Sequence, residues 1–144
     1  SEYYRNANSE VLLVLQIEHI LGVEHADEIL SVPGVDACFI GPNDLAASMG
    51  LGLGVPLESD DPKLVEAIHH IRDTCKKHGV APGVHCSDAD GVNQRISEGF
   101  QFCAMASELR YTLSGLGSDL KRLNWQRSPA ASTNTGSDRT TVRY

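Results

Sequence analysis

A unit repeated four times constrains this chain most: an apolar run short enough for a strand, then a stretch with apolar residues at helical spacing. Residues 11–17 read Val-Leu-Leu-Val-Leu-Gln-Ile, a nearly continuous apolar run of the kind found in strands covered on both faces. Ile20, Leu21, Val23, Ala26, Ile29 and Leu30 then recur at helical spacing until Pro33-Gly34, which predicts a helix over 19–32. Residues 36–42 give a second short strand. The glycine-rich stretch 48–61, with Pro56, is expected to be a long loop. Asp61-Pro62 supplies an N-cap followed by proline in the first turn, and Leu64, Ile68, Ile71 and Cys75 make the stripe of a helix that Gly79 ends. A third strand is expected at 81–86, followed by a polar helix capped by Ser87 and stopped by Gly99. The fourth unit pairs a strand at 101–106 with a helix over 108–123, whose stripe is Leu109, Leu113, Leu116 and Leu120 and which Gly115 and Gly117 weaken.

Four consecutive βα units without an antiparallel signal imply an α/β chain with a parallel sheet, either doubly wound or half of an eight-stranded barrel. The pattern leaves both open. With 41% hydrophobic and 22% charged residues the chain has the composition of one globular domain. A net charge of -7 opposes binding to a phosphate backbone, so no nucleic-acid partner is expected. The longest apolar run is interrupted at Gln16 and closed by Glu18, far short of the roughly 20 residues a membrane span needs. No secretion signal is legible, and Cys38, Cys75, Cys86 and Cys103 are too widely spaced for a zinc motif. They are expected to be free thiols, mostly buried, in a cytoplasmic protein.

In either parallel fold, functional groups gather just beyond the C-terminal ends of the strands. Glu18 closes the first run and Asp44 follows the second, so neighbouring strands bring two carboxylates to one rim. Two hard oxygen ligands beside open positions suit Mg²⁺ or Mn²⁺. Ordinary solvated acids at strand ends weigh about equally on spacing alone. None of Lys63, Lys76, Lys77 and Lys121 lies at a strand end, which leaves imine chemistry without a nucleophile. Among the six histidines, His25, His69, His70 and His78 fall on or after helices and are expected at the surface. His19 and His85 fall near strand ends, where a hydrogen-bonded structural histidine outweighs a ligand.

Leu15-Gln-Ile-Glu18, followed by Phe39-Ile-Gly-Pro-Asn-Asp-Leu-Ala-Ala-Ser-Met-Gly50, resembles the metal-site signature of the HpcH/HpaI aldolases. Gly22-Val-Glu24 and Ile29-Leu-Ser-Val-Pro-Gly-Val-Asp36 match the family's wording as well, and the similarity runs from about Tyr4 to Leu116. The resemblance implies a (β/α)₈ barrel of the TIM type, of which residues 1–125 supply four C-terminal βα units, a half-barrel. It implies that Glu18 and Asp44 bind a divalent metal, with Mg²⁺, Mn²⁺ and Co²⁺ all open, and that the metal chelates pyruvate or a related 2-oxo acid. The implied reaction is cleavage or formation of a 4-hydroxy-2-oxo acid from that acid and an aldehyde, a carbon–carbon lyase activity. The backbone of Gly41, Pro42, Asn43 and Asp44 matches the loop that receives the substrate carboxylate, with Asn43 and Asp44 as donors. Gln16 faces the same way as Glu18 by strand alternation and is expected to orient substrate or a neighbour.

Family members carry their catalytic histidine and a substrate-clamping arginine in an N-terminal half not found here. No residue of this chain is therefore assigned as certainly catalytic, and the chain alone is expected to be a poor catalyst. It is expected to be a fragment, a truncated product or a partner of the missing half, and to form homo-oligomers or pair with that half, because a half-barrel leaves strand edges open. Two alternatives stand beside the aldolase: a CoA-thioester lyase of the citrate lyase β-like group, and a non-catalytic half-barrel.

Residues 126–144 have the composition of a disordered tail, with little apolar content. Truncation of 127–144 is expected to change stability by less than about 0.5 kcal/mol. A thermal melt of the truncated chain checks this, and a large fall in Tm would show that the segment docks.

Overall fold

The computed structural model describes residues 1–124, so the segment expected to be a tail lies outside the described residues. Two units emerge, one of residues Ser1–Glu108 and a second that begins at Leu109. In the first, a helix α1 (Glu2–Glu10) precedes β1 (Val14–Ile17), and two short helices, α2 (Ile20–Glu24) and α3 (Ala26–Leu30), lead to β2 (Ala37–Ile40). A helix α4 (Pro42–Ser48) follows at once, then an irregular loop, α5 (Pro62–His78), β3 (Ala81–Cys86), α6 (Ala89–Glu98) and β4 (Phe102–Met105).

All four strands are parallel and lie in the order β1-β2-β3-β4. That order decides between the two architectures left open above. A doubly wound sheet reverses its strand order at a switch point, whereas a barrel adds each strand beside the last. The sheet winds one way only, as a barrel does.

The caps explain where the helices begin and end. Asp61 accepts from the N–H of Lys63 at 2.9 Å and of Leu64 at 3.3 Å, and Gly79 closes α5 in the left-handed region at φ 72°. For α6 the cap is Asp88 rather than the expected Ser87, because the Asp88 carboxylate accepts from both Asp90 and Gly91. The Ser87 N–H instead donates to Glu58 at 2.6 Å. The helix expected over 19–32 is interrupted at His25, although Val23, Ala26 and Leu30 keep helical spacing across the break and are all buried. Neither α1 nor α4 is expected from apolar periodicity, since α1 buries nothing and α4 spans less than two full turns.

Between sheet and helices sits the core: Ile17, Leu30, Cys38, Ile40, Leu45, Leu64, Ile68, Ile71, Cys75, Val84 and Cys86. Each fully buried Leu, Ile or Val stabilises the fold by about 1.5–3 kcal/mol. The cysteines are all free, with Cys38, Cys75 and Cys86 buried and Cys103 half-buried. Burial pushes the Cys86 thiol up to about 12, so it behaves as a small apolar group at neutral pH.

The opposite face of the sheet is different. Strand pairing places Gln16, Phe39, Gly83 and Phe102 in one row across all four strands. Phe39 and Phe102 meet edge to face with centroids 5.6 Å apart, across a glycine whose missing side chain would lie 2.9 Å from the Phe102 ring. The expectation that the first strand is covered on both faces fails: Leu12 is 75% exposed, and Leu13 and Val14 are exposed as well. The reason is that β1 is an edge of the sheet, paired only with β2 among the described residues. Leu12, Val14, Ala37, Ala81 and Phe102 line an apolar groove at the N-terminal ends of the strands.

In the second unit, the helix α7 (Glu108–Arg122) begins at the boundary residue, and its expected stripe of Leu109, Leu113, Leu116 and Leu120 is exposed.

One buried charge matters for stability. Arg95 is 2% exposed, its guanidinium donates to Glu98 at 2.8 Å and it lies 5.9 Å from the centre of the Phe100 ring. Burial pushes the Glu98 carboxyl up, but hydrogen bonds from Arg95, Gln94 and His69 outweigh it and hold the group below the ordinary carboxylate range. A lowered folded-state pKa contributes stability that is present above the unfolded value and lost as pH falls through the folded one. Glu98→Gln is therefore expected to cost about 2 kcal/mol at pH 7, the scale of a hydrogen bond to a charged group, and less below pH ~4. Urea unfolding at the two pH values checks this; an equal cost at both would contradict it.

Candidate metal centre

β1 ends at Ile17 and β2 at Ile40, and the two are register partners, so Glu18 and Gly41 leave the sheet side by side. The Gly41 N–H donates to the Ile17 carbonyl at 3.4 Å and carries the pairing one step past the strands. Glu18 is half-buried, and its carboxylate rests against the Gly41 backbone. A Cβ at position 41 would lie 2.9 Å from Glu18 Oε2 and 3.4 Å from Gln16 Nε2. Since Gly41 has φ -97°, a region open to any residue, glycine serves here to leave room for the Glu18 side chain and not for backbone freedom.

Gln16 points to the same side, as alternation requires, and its Nε2 donates to Glu18 Oε2 at 2.5 Å. The amide holds the carboxylate in one orientation. Gln16, Glu18 and Gly41 are thus brought together.

Asp44 lies in the first turn of α4, three residues beyond Gly41 on the same rim, and is exposed. Pro42 occupies the first helical position, where its missing N–H costs nothing, and is buried. The N–H groups of Asn43 and Asp44 fall in the first turn and have no intrahelical acceptor. The Asn43 side chain is engaged elsewhere: its Nδ2 donates to the Val55 carbonyl at 2.7 Å and ties down the loop after α4. A second contact fastens the two acid-bearing turns. The Ile20 N–H donates to Ser48 Oγ at 3.0 Å, and that hydroxyl donates to the Leu45 carbonyl at 2.7 Å, linking the start of α2 to the end of α4.

Glu18 and Asp44 offer hard oxygen donors, with Gly41 leaving the space in which the Glu18 carboxylate lies. This fits a cation of the Mg²⁺ or Mn²⁺ kind, which keeps several positions for water or a chelating ligand. No group of three or more His, Cys, Asp or Glu able to hold a metal occurs among the described residues.

Other titratable groups are accounted for. His19 caps α2, its Nδ1 accepting from the Leu21 N–H at 3.2 Å, the structural use expected of it. His78 contacts Asp27 and His69 contacts Glu98, so these two are half-buried hydrogen-bonding partners rather than free surface groups. Lys63, Lys76 and Lys77 lie on α5 and Lys121 on α7, none of them on a strand. Two features escape the sequence pattern: the Glu58 contact to Ser87, for which no local signal exists, and His85. Alternation from Gly83 puts His85 on the same sheet face as Gln16 and Phe39, and its Nε2 lies 3.0 Å from the Ala106 carbonyl.

A family model described as HpcH/HpaI aldolase/citrate lyase matches residues 1–114. The hydroxypyruvate/pyruvate aldolase of Paraburkholderia phytofirmans is 34% identical over 112 residues, covering 78% of this chain and 42% of that protein. The 5-keto-4-deoxy-D-glucarate aldolase of Salmonella arizonae is 34% identical over 108 residues, with 75% of this chain and 41% of that protein covered. The chain thus spans about two-fifths of the length of the curated relatives it matches. A solved HpcH/HpaI aldolase/citrate lyase family protein from Burkholderia cenocepacia superposes with a TM-score of 0.76 at 30% identity, over 84% of this chain and 46% of that one. With its sequential strand order, the described sheet is half of a (β/α)₈ barrel. The match over residues 1–114, with Glu18 seated on Gly41 at the rim of such a sheet, leads to one conclusion: the chain belongs to the HpcH/HpaI aldolase/citrate lyase family.

Proposed function

We propose that this chain carries the divalent-metal site of an aldolase that makes or cleaves 4-hydroxy-2-oxo acids from pyruvate, or a related 2-oxo acid, and an aldehyde. The observation that carries this reading is the Glu18 carboxylate, oriented by Gln16 and seated on Gly41 beside the turn that bears Asp44. Relatives named as hydroxypyruvate/pyruvate aldolase and 5-keto-4-deoxy-D-glucarate aldolase support it.

Glu18 and Asp44 hold the cation. When bound, it supplies Lewis-acid stabilisation of the charge that develops on the oxo oxygen as a bond at C3 of the 2-oxo acid breaks. Gln16 keeps the Glu18 carboxylate in place, so little reorganisation is needed at the moment of reaction. The first-turn N–H groups of Asn43 and Asp44 receive the substrate carboxylate, helped by the positive end of α4. Asn43 also holds the following loop through Val55, which keeps that turn rigid. With no lysine on a strand, imine formation has no nucleophile among the described residues.

The test is exchange of pyruvate C3 protons with solvent deuterium by the complete enzyme, this chain together with the N-terminal half its relatives carry, read by mass spectrometry. Exchange is expected to stop in excess EDTA and return with Mg²⁺ or Mn²⁺; full exchange in EDTA, or reaction only of a CoA thioester, would overturn the reading. Glu18→Gln and Asp44→Asn are each expected to weaken Mn²⁺ binding at least about tenfold, since each removes one of two charges on the ion. In EDTA both should melt no lower than the unsubstituted protein, because neutralising one acid relieves repulsion between the two. A variant that unfolds, or that binds Mn²⁺ normally, would show that the pair is structural.

A further inference from the structure

The row of Gln16, Phe39, Gly83 and Phe102 forms a floor across the sheet, closed by the contact between the two phenylalanine rings. Two residues further along each strand comes the next row: Glu18, Gly41, His85 and Ala104, with His85 and Ala104 direct partners. His85 therefore stands in the same layer as the metal-site carboxylate, two strands away, at roughly 4.8 Å per strand.

Its ring is held. Nε2 lies 3.0 Å from the Ala106 carbonyl, and a carbonyl only accepts, so Nε2 carries a hydrogen and, in the neutral ring, Nδ1 keeps its lone pair. Ala106 is itself fastened to the same strand, its N–H donating to the Cys86 carbonyl at 2.8 Å. It also adopts φ 54°, a left-handed conformation unfavourable for a non-glycine residue that persists only where the surroundings impose it. The half-buried ring is thus locked in one tautomer, and Nδ1 has no partner among the described residues.

We infer that His85 is a specificity-determining residue, its Nδ1 accepting a hydrogen bond from a hydroxyl on the aldehyde-derived half of the substrate. This rests on the function proposed above. With the carboxylate and oxo group taken at the ends of β1 and β2, His85 at the end of β3 is the next polar group of that layer along the sheet, within reach of a carbon chain that runs toward β3. A fixed acceptor discriminates strongly against a ligand that offers no donor, because the acceptor is then desolvated without compensation. The substrate class selected is a 2-hydroxyaldehyde over its alkyl counterpart.

The test, on the same complete enzyme, compares glycolaldehyde with propionaldehyde, which differ by a hydroxyl against a methyl, as partners for pyruvate. The unsubstituted protein is expected to favour glycolaldehyde in kcat/KM, and His85→Leu to lose that preference by at least about tenfold while pyruvate deuterium exchange and Mn²⁺ affinity stay within about twofold. His85→Gln keeps both a donor for Ala106 and an acceptor, and should recover part of the preference. An unchanged ratio in His85→Leu, no preference in the unsubstituted protein, or equal loss of exchange in both variants would overturn the assignment. Absence of exchange in the unsubstituted protein would instead overturn the aldolase reading itself, and this inference with it.

Discussion

A side chain at position 41 would occupy the space in which the Glu18 carboxylate lies, and the rest of the site depends on that vacancy. Because Gly41 lets the carboxylate rest on the backbone of the neighbouring strand end, Gln16 can reach it from the same face. The turn that follows Gly41 then presents Asp44 and two free N–H groups on the same rim. The contact also works with packing below it. Ile17 and Ile40, the last residues of the two strands, are almost wholly buried against the helices, so the strand ends cannot slip without opening the core. Ser48 ties α4 back to the start of α2, which leaves the two acid-bearing turns little freedom to separate.

The two faces of the sheet divide the labour. Toward the helices, Cys38, Ile40, Val84 and Cys86 are buried and chemically inert, their thiols serving as apolar filler. Toward the interior of the half-barrel, Gly83 lets Phe39 and Phe102 close a floor, and the polar groups sit one layer above it. That polarity gradient, apolar at the N-terminal ends of the strands and polar at the C-terminal ends, suits the binding of a small charged substrate at the rim. The exposed Leu12 and Val14 belong to the same apolar end, on an edge strand.

Much of this was legible in the sequence because period and punctuation agree. The strand at 81–86 and the helix that Asp61 caps and Gly79 ends appear where apolar runs, cap and glycine place them. The resemblance carried by Glu18 and the Gly-Pro-Asn-Asp turn named the family, which residues 1–114 match. What escaped the sequence has a common physical origin. The cap of α6 is Asp88 rather than Ser87 because the Asp88 carboxylate reaches the N–H groups of Asp90 and Gly91, while the Ser87 N–H is held by Glu58, far away in sequence. Exposure of the first strand follows from its place at the sheet edge, which a local apolar run cannot reveal. The short helix α4 has too few residues to show a period, although Gly41-Pro42 with an acid in the first turn is a readable start signal. His85 reads locally as a structural histidine, and only the register across three strands sets it in the layer of Glu18.

The central claim is that Glu18, held on Gly41, and Asp44 form a divalent-cation site. Gly41→Ala tests it most directly, because alanine suits the backbone at φ -97° and changes only the space available to the carboxylate. Titration with Mn²⁺ followed by electron paramagnetic resonance, beside a circular dichroism spectrum of the same sample, is the measurement. The account predicts an unchanged spectrum with binding weakened at least about tenfold, the loss expected when a ligand is displaced from a site that has two. A folded Gly41→Ala protein that binds Mn²⁺ as tightly as the unsubstituted one would contradict it.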